Sequence, residues 1–249
     1  MASDTTFVDV LTLGIWQANC YIVGDSERGT AFVVDPGQDG EGPVTKALAA
    51  RGVTCEAILL THAHLDHLWS APELARSLDV GVRMHEEDRW LWDEPGAGIG
   101  AAPGNLEAQF GLVWDPPHER LETFRDEHTM TIAGMQVDVR HTPGHTPGSS
   151  VFITDDLGDA PVMISGDLIF AGSVGRTDFL RGSWEEEARS IHRVVLPQPD
   201  DMRIISGHGP ETTVGAERRS NPFVHQIMAD LGSPEPAIGK PVTKQRRGL

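Results

Sequence analysis

Three histidines and an aspartate stand within six consecutive positions, at His62, His64, Asp66 and His67. Neutral imidazoles and carboxylates are ligands for zinc, iron or manganese. His62 and His64 lie two apart, so an extended segment lets both converge on one ion. Asp66 and His67 point elsewhere along the loop and suit a second ion. Later in the chain His145 is held between two Pro-Gly turns, in Thr142-Pro143-Gly144-His145-Thr146-Pro147-Gly148. A carboxylate ends Ser165-Gly166-Asp167, and Gly207-His208-Gly209 frames one more histidine. A lone histidine is more often structural than a ligand, but a stiff loop directly after a strand favours ligation. Seven candidate ligands are too many for one tetrahedral site, so two ions are expected. The bland alternative, a solvated loop rich in histidine, accounts poorly for this density of ligand types behind a buried strand.

The elements that must position these residues read as strands first, then strand and helix in alternation. Phe7 to Leu13 and Asn19 to Val23 form a hairpin, and Thr30 to Val34 is a third strand ending at Asp35-Pro36-Gly37, a turn signal. Asp35 either sits behind the metal loop or only makes that turn. A helix from about Gly42 to Ala50 stops at Gly52. The unbroken apolar run Ala57-Ile58-Leu59-Leu60 reads as a strand covered on both faces. It leads straight into the histidine cluster, and a helix follows from about Trp69 to Leu78. Gly81 to Met84 is a strand and Glu86 to Trp92 a short helix. Thr129 to His141 gives two strands joined at Gly134. Ser150 to Thr154, Pro161 to Ile164 and Met202 to Ile205 are further strands. Helices are expected at Trp184 to Val195 and Asn221 to Leu231. The ligand candidates therefore fall at strand ends, where a rigid scaffold aims loop side chains at one point.

The chain has 249 residues and a formal net charge of −17. That length suits one large domain, expected over 1–232, with a frayed tail over 233–249. The acidic surface disfavours nucleic acid as a partner. Cys20 and Cys55 make neither a CxxC pair nor a disulfide framework and read as inert buried thiols. No apolar run approaches a membrane span, and nothing resembles a signal peptide, so a cytoplasmic protein with no membrane partner is expected. Between 93 and 127 the pattern breaks into a Gly/Pro/Ala-rich insertion, with one helix at Asn105 to Leu112. Its apolar residues Phe110, Leu112, Val113 and Trp114 suit a lid over a pocket, a self-association patch, or a loop packed on its own domain.

The HxHxDH cluster, the GHTPGS loop, the SGDLIF strand end and the GHGP turn together resemble the metallo-β-lactamase superfamily, and within it the glyoxalase II-like hydrolases. The resemblance runs from about Phe7 to Phe223. It implies an αββα sandwich, two mixed sheets flanked by helices, with metals at one edge. It also implies that His62, His64 and His145 hold one ion and that Asp66, His67 and His208 hold the other, with Asp167 between them. Zinc is the first expectation, with iron or manganese also fitting. Two cations lower the pKa of a shared water, and the hydroxide attacks a carbonyl carbon. Asp66 is the candidate to orient that nucleophile or take a proton. A thiolate leaves readily, so a small acyl-thiol substrate of the hydroxyacylglutathione type is expected, in a monomer or homodimer.

Departures from the pattern sharpen the expectation. Lactamases of the superfamily lack a bridging aspartate at the position of Asp167. The helical C-terminal extension of glyoxalase II is missing after Phe223, and Gly175-Arg176-Thr177-Asp178-Phe179 with Asn221-Pro222-Phe223 looks like the short bacterial branch. Arg176 matches a basic residue that binds the thiol's carboxylate, although the aromatic residue two positions later in that family is Asp178 here. The alternatives are a mononuclear iron persulfide dioxygenase, a lactamase-like hydrolase of another ester or amide, and a non-catalytic binding module. The last is disfavoured by the intact ligand set.

Overall fold

Thr30-Ala31-Phe32-Val33-Val34 shows how the layers arise. Successive side chains of a strand face opposite ways, so Ala31 and Val33 enter one apolar cluster while Phe32 and Val34 enter another. This strand is β3 (Thr30–Val34), in a six-stranded sheet ordered β1 (Thr6–Leu13), β2 (Ala18–Asp25), β3, β4 (Thr54–Leu59), β5 (Gly81–His85) and β6 (Leu121–Phe124). The first three strands run antiparallel and the last four pair in parallel, so the sheet is mixed. The computed structural model describes residues 5–101, 105–125 and 127–234. The tail expected over 233–249 lies outside the described residues from position 235 onward.

The second sheet also has six strands: β7 (His128–Ile132), β8 (Met135–His141), β9 (Ser150–Thr154), β10 (Val162–Gly166), β13 (Arg203–Ser206) and β14 (Thr212–Thr213), in the order β14-β13-β10-β9-β8-β7. Only β10 and β13 pair in parallel among these. A small ribbon of β11 (Ile169–Phe170) and β12 (Ser173–Val174) follows β10. One cluster, with Phe32, Val34 and Leu59 from the first sheet and Val137, Phe152 and Ile164 from the second, fills the space between the sheets.

Helices close both outer faces. α1 (Glu41–Arg51), the single turn α2 (Leu65–Leu68) and α3 (Ala71–Ser77) lie on the first sheet, where Val44, Leu48, Leu74 and Ala75 pack with Ile22 and Ile58. α4 (Arg89–Asp93) and α5 (Leu106–Phe110) follow in the chain, then α6 (Trp184–Ser190), α7 (Val214–Ser220) and α8 (Pro222–Leu231). Ala188, Ile191, Val224 and Ile227 cover the second sheet against Val151, Met163 and Ile204. The result is the αββα sandwich of two mixed sheets.

Several local expectations hold. Gly52 ends α1 in the left-handed conformation, at φ 67°, and Asn221 caps α8 through its side chain, which accepts from the amides of Phe223 and Val224. Cys20 and Cys55 are free thiols. Burial pushes both up, Cys55 to about 11, which keeps them protonated and unreactive. Other expectations need revision. The helix placed at 69–78 starts earlier, as α2, and restarts at Ser70 with Pro72 in its first turn. Leu121-Glu122-Thr123-Phe124, inside the stretch without pattern, pairs with β5 as the sixth strand, because its parallel partner supplies the hydrogen bonds that periodicity does not signal. The helix placed over 184–195 gives way to a π turn at Ile191–Val195. Among the described residues no helix is long and apolar enough to cross a membrane.

Candidate metal centre

All seven ligand candidates meet at one edge of the sandwich. Four connections bring them there: the β4-to-α2 loop, the β8-to-β9 loop, the end of β10 and the turn after β13. The His208 turn is pinned to the first sheet. Asn19 donates from its backbone to the Gly207 carbonyl at 2.7 Å and from its side chain to the carbonyls of Ser206 and Gly209 at 3.0 and 2.9 Å. The Tyr21 hydroxyl donates to the Ser206 carbonyl at 2.7 Å.

The ligand atoms fall into trios. Those of His62, His64 and His145 lie within 4.8 Å of one another, and so do those of Asp66, His67 and His208. His64 Nδ1 and His145 Nε2 face each other at 2.8 Å. Asp167 lies between the trios: its Oδ1 is 3.3 Å from His67 Nε2, and its Oδ2 is 3.6 Å from both His145 Nε2 and His208 Nε2. Asp66 Oδ2 is 3.1 Å from His208 Nε2. Asp66 and His67 do not sit on an extended loop, as expected, but on the helical turn α2, with His64 as its N-cap. That turn separates their direction from that of His62 and His64.

Neighbouring groups fix the rings. Asp35 accepts from the amide and hydroxyl of Thr61 at 2.8 and 2.6 Å and pairs with His67 Nδ1 at 3.1 Å. This leaves His67 Nε2 as the free lone pair, so Asp35 both ends its strand and orients a ligand. His145 Nδ1 donates to the Arg176 carbonyl at 2.7 Å, which presents Nε2 to the site. Two buried carboxylates escaped the sequence reading. Asp88 accepts from Ala63 N at 3.0 Å, Thr146 Oγ1 at 2.7 Å and Gly148 N at 2.7 Å, and so ties the HxHxDH loop to the GHTPGS loop. Glu187 accepts from His145 N at 2.7 Å. Gly144 is required there: at φ +151°, a Cβ would meet the Glu187 backbone at 2.3 Å. Asp88 gave no signal among the acids Glu86 and Glu87. Glu187 did give one, since it falls at the helical spacing of the buried face with Ala188 and Ile191.

Electrostatics mark a site built for positive charge. Burial drives His62 well below its ordinary pKa and His64 down to about 3, and neighbouring imidazoles add to both effects. Burial works against ionisation of Asp66 and Asp167, yet His67 and the other imidazoles hold both below the usual carboxylate range. Burial likewise opposes a charged His67, but Asp167 and Asp66 raise it well above its ordinary value. Buried His62 Nε2, His67 Nε2 and Asp167 Oδ1 have no hydrogen-bond partner. Each such orphan costs about 1–3 kcal/mol. Cations at the trios satisfy all three, so the residues fit two divalent ions with nitrogen and oxygen ligands.

A cavity of about 650 Å³ opens over these ligands. The insertion borders it: Gly98, Ile99 and Phe110 line the cavity opposite Asp167 and His208. Trp114, grouped with Phe110 in the sequence reading, is instead pinned below, with Nε1 donating to the Trp92 carbonyl at 2.7 Å. Arg176 lines the cavity too. Its guanidinium, expected to hold a substrate carboxylate, is forked onto Asp178 at 2.6 and 2.7 Å and lies 4.3 Å from the Phe179 ring centre.

The sequence profile of the metallo-beta-lactamase superfamily matches residues 13–208. Hydroxyacylglutathione hydrolase GloC of Haemophilus influenzae is 33% identical over 221 residues, covering 88% of this chain and 98% of that protein. The crystal structure of BLEG-1 B3 metallo-beta-lactamase superposes with a TM-score of 0.77 at 32% identity, covering 88% of this chain and 99% of its own. The di-iron-bound form of TTHA1623 superposes with a TM-score of 0.70 at 36% identity, covering 87% of this chain and 100% of its own.

Proposed function

The chain belongs to the metallo-β-lactamase superfamily, and from that premise we propose that it is a dinuclear metal-dependent hydrolase of a small acyl-thiol, of the hydroxyacylglutathione hydrolase kind. The observation that carries this reading is the pair of ligand trios facing each other across Asp167 at the floor of one cavity. The likeness to GloC over nearly the whole of both chains supports the thioester as substrate. In this reading His62, His64 and His145 would hold one ion and Asp66, His67 and His208 the other, with Asp167 available to either. Zinc and iron both suit these donors, and a relative with two irons supports the second.

Two divalent cations, when bound, supply an acidified water and compensation for negative charge on the reacting carbonyl. The chain's own residues do the rest. Hydrolysis forms a bond from water oxygen to the acyl carbon and breaks the carbon–sulfur bond, releasing a thiolate. Asp66, half-buried at the cavity floor, is placed to orient the water and take its proton. Asp35 and the Arg176 carbonyl keep His67 and His145 in the ligating tautomer. Ile99, Phe110 and Phe179 line the cavity and displace bulk water from the carbonyl. Arg176 contributes to substrate binding as part of that wall.

The test is metal analysis of the purified protein together with hydrolysis of a thioester panel. Two equivalents of metal and turnover abolished by chelation are expected; full activity with one bound metal would sink the dinuclear reading. The likeness to BLEG-1 favours a second reading, hydrolysis of a lactam amide. A penicillin turned over faster than every thioester would establish it in place of the first.

A further inference from the structure

Above its ligands the cavity has an aromatic side. Trp16, on the tight turn between β1 and β2, faces Phe110 of α5 with ring centres 5.4 Å apart, and both pack on Trp69, at 6.0 and 5.8 Å. Trp16 and Phe110 line the cavity and are only half-buried. Three mutually packed rings hold those two faces in place before any ligand arrives. On the far side the Phe179 ring stands 5.0 Å from His64 and 6.0 Å from His145, centre to centre. Among the described residues, Arg176 is the one lysine or arginine lining the cavity. One edge of its guanidinium, Nε and Nη2, is already taken by Asp178, and the chain as a whole carries a charge of −17.

We infer that the arm of the substrate that does not react is uncharged and apolar, of about the size of an aromatic ring, and that Asp178 reinforces this preference by holding one edge of Arg176. The inference rests on the acyl-thiol reading of the same site and narrows it to uncharged acyl-thiols, which sets glutathione itself aside as the preferred thiol. An arm seated between Trp16, Phe110 and Ile99 removes apolar surface from water on both partners and adds ring-on-ring contact. An arm bearing carboxylates gains neither. To reach Arg176 it must either displace Asp178 from a bidentate pair or settle beside that carboxylate, against the negative field of the protein. Asp178 thus holds the edge of Arg176 that a substrate carboxylate would otherwise take.

Binding, rather than turnover, tests this. The metal-loaded protein is titrated by calorimetry with three non-hydrolysable thioethers: S-methyl-N-acetylcysteamine, S-benzyl-N-acetylcysteamine and S-benzylglutathione. Benzyl is expected to exceed methyl by about tenfold in affinity, the yield of burying one ring face. The uncharged benzyl ligand should bind at least as tightly as the anionic one. Phe110→Ala should cut the benzyl-to-methyl ratio severalfold, and Phe110→Leu, which keeps an apolar side chain, should restore part of it. Asp178→Asn should tighten S-benzylglutathione by about tenfold, by freeing one charge-assisted fork, and leave the uncharged ligand unchanged. Metal content of each variant reports that its site is intact. Equal binding of methyl and benzyl, or a wild-type preference for the glutathione ligand, overturns the inference. If the ligands rank as expected while no thioester is hydrolysed, the acyl-thiol reading falls and the chemical class of the bound arm stands.

Discussion

Across one cavity, His62, His64 and His145 are 2%, 4% and 2% exposed and sit in loops tied down by buried carboxylates, whereas Trp16 and Phe110 are half-exposed and packed through ring contacts. The ligand side is assembled from the ends of strands in both sheets, so the whole sandwich fixes it. The aromatic side hangs from a hairpin turn and an insertion, so its shape depends on a few local contacts. Changing the first should cost metal and chemistry together. Changing the second should alter which molecule binds while the ions stay in place.

Asp167→Ala should give the largest effect. It removes the carboxylate whose oxygens lie 3.3–3.6 Å from His67 and His208 of one trio and from His145 of the other. Loss of most activity and of at least one metal equivalent is expected, read by elemental analysis and thioester hydrolysis. A variant that keeps both metals and most of its rate would mean that the trios are independent.

Asp88→Ala comes next, although Asp88 touches no ligand side chain. It strands the Ala63 and Gly148 amides in a buried place, while the Thr146 hydroxyl keeps Ser149 Oγ at 2.9 Å. At about 1–3 kcal/mol per orphaned group, a stability loss of about 2 kcal/mol or more is expected. Loosening the two loops should also weaken metal binding by about 10- to 100-fold, the usual cost of losing a partner behind the ligands. Asp88→Asn keeps an acceptor and should lose less of both. Chemical denaturation and competitive chelation read the two effects separately.

How far each side could be read in advance follows the same division. The seven candidate ligands were legible because HxHxDH, GHTPGS, SGD and GHG are local strings whose chemistry needs those residue types close together. Periodicity alone gave most of the strands and helices but not the sandwich, which came from the resemblance. Asp88 was not legible, since its partners at Ala63 and Gly148 are 25 and 60 residues away. The Trp16, Trp69 and Phe110 cluster joins three segments with no shared pattern, and β6 takes its identity from pairing with β5. Arg176 was legible as a cavity residue, and the departure at Asp178 was visible as a missing aromatic, but its pairing with Arg176 was not.

Gly98→Ala probes the seam where the two sides meet. A Cβ there would stand 2.8 Å from His64 Cδ2 and 3.0 Å from Leu91 Cδ2. The imidazole must give by a few tenths of an ångström, and metal ligands tolerate little displacement. A loss of about tenfold in affinity for the ion at His62, His64 and His145, at the low end of what disturbing a ligand's support costs, is expected. Unchanged metal binding and unchanged kcat would show that the insertion stands off from the ligands.

Trp114→Phe should be the mildest change, and it separates the tip of the insertion from its body. Phenylalanine keeps a ring against Trp92, where the two now lie 5.8 Å apart between centres, but removes the indole N–H that donates to the Trp92 carbonyl. One such hydrogen bond is worth about 1 kcal/mol net. In a chain of this size that lowers Tm by about 2–4 °C. Trp114 does not line the cavity that Phe110 lines, so KM and metal content should stay at their wild-type values while Tm falls. If KM for a benzyl-bearing thioester rises as well, strain at Trp114 reaches Phe110 through α5, and the insertion moves as one piece rather than as an anchored base carrying a binding face.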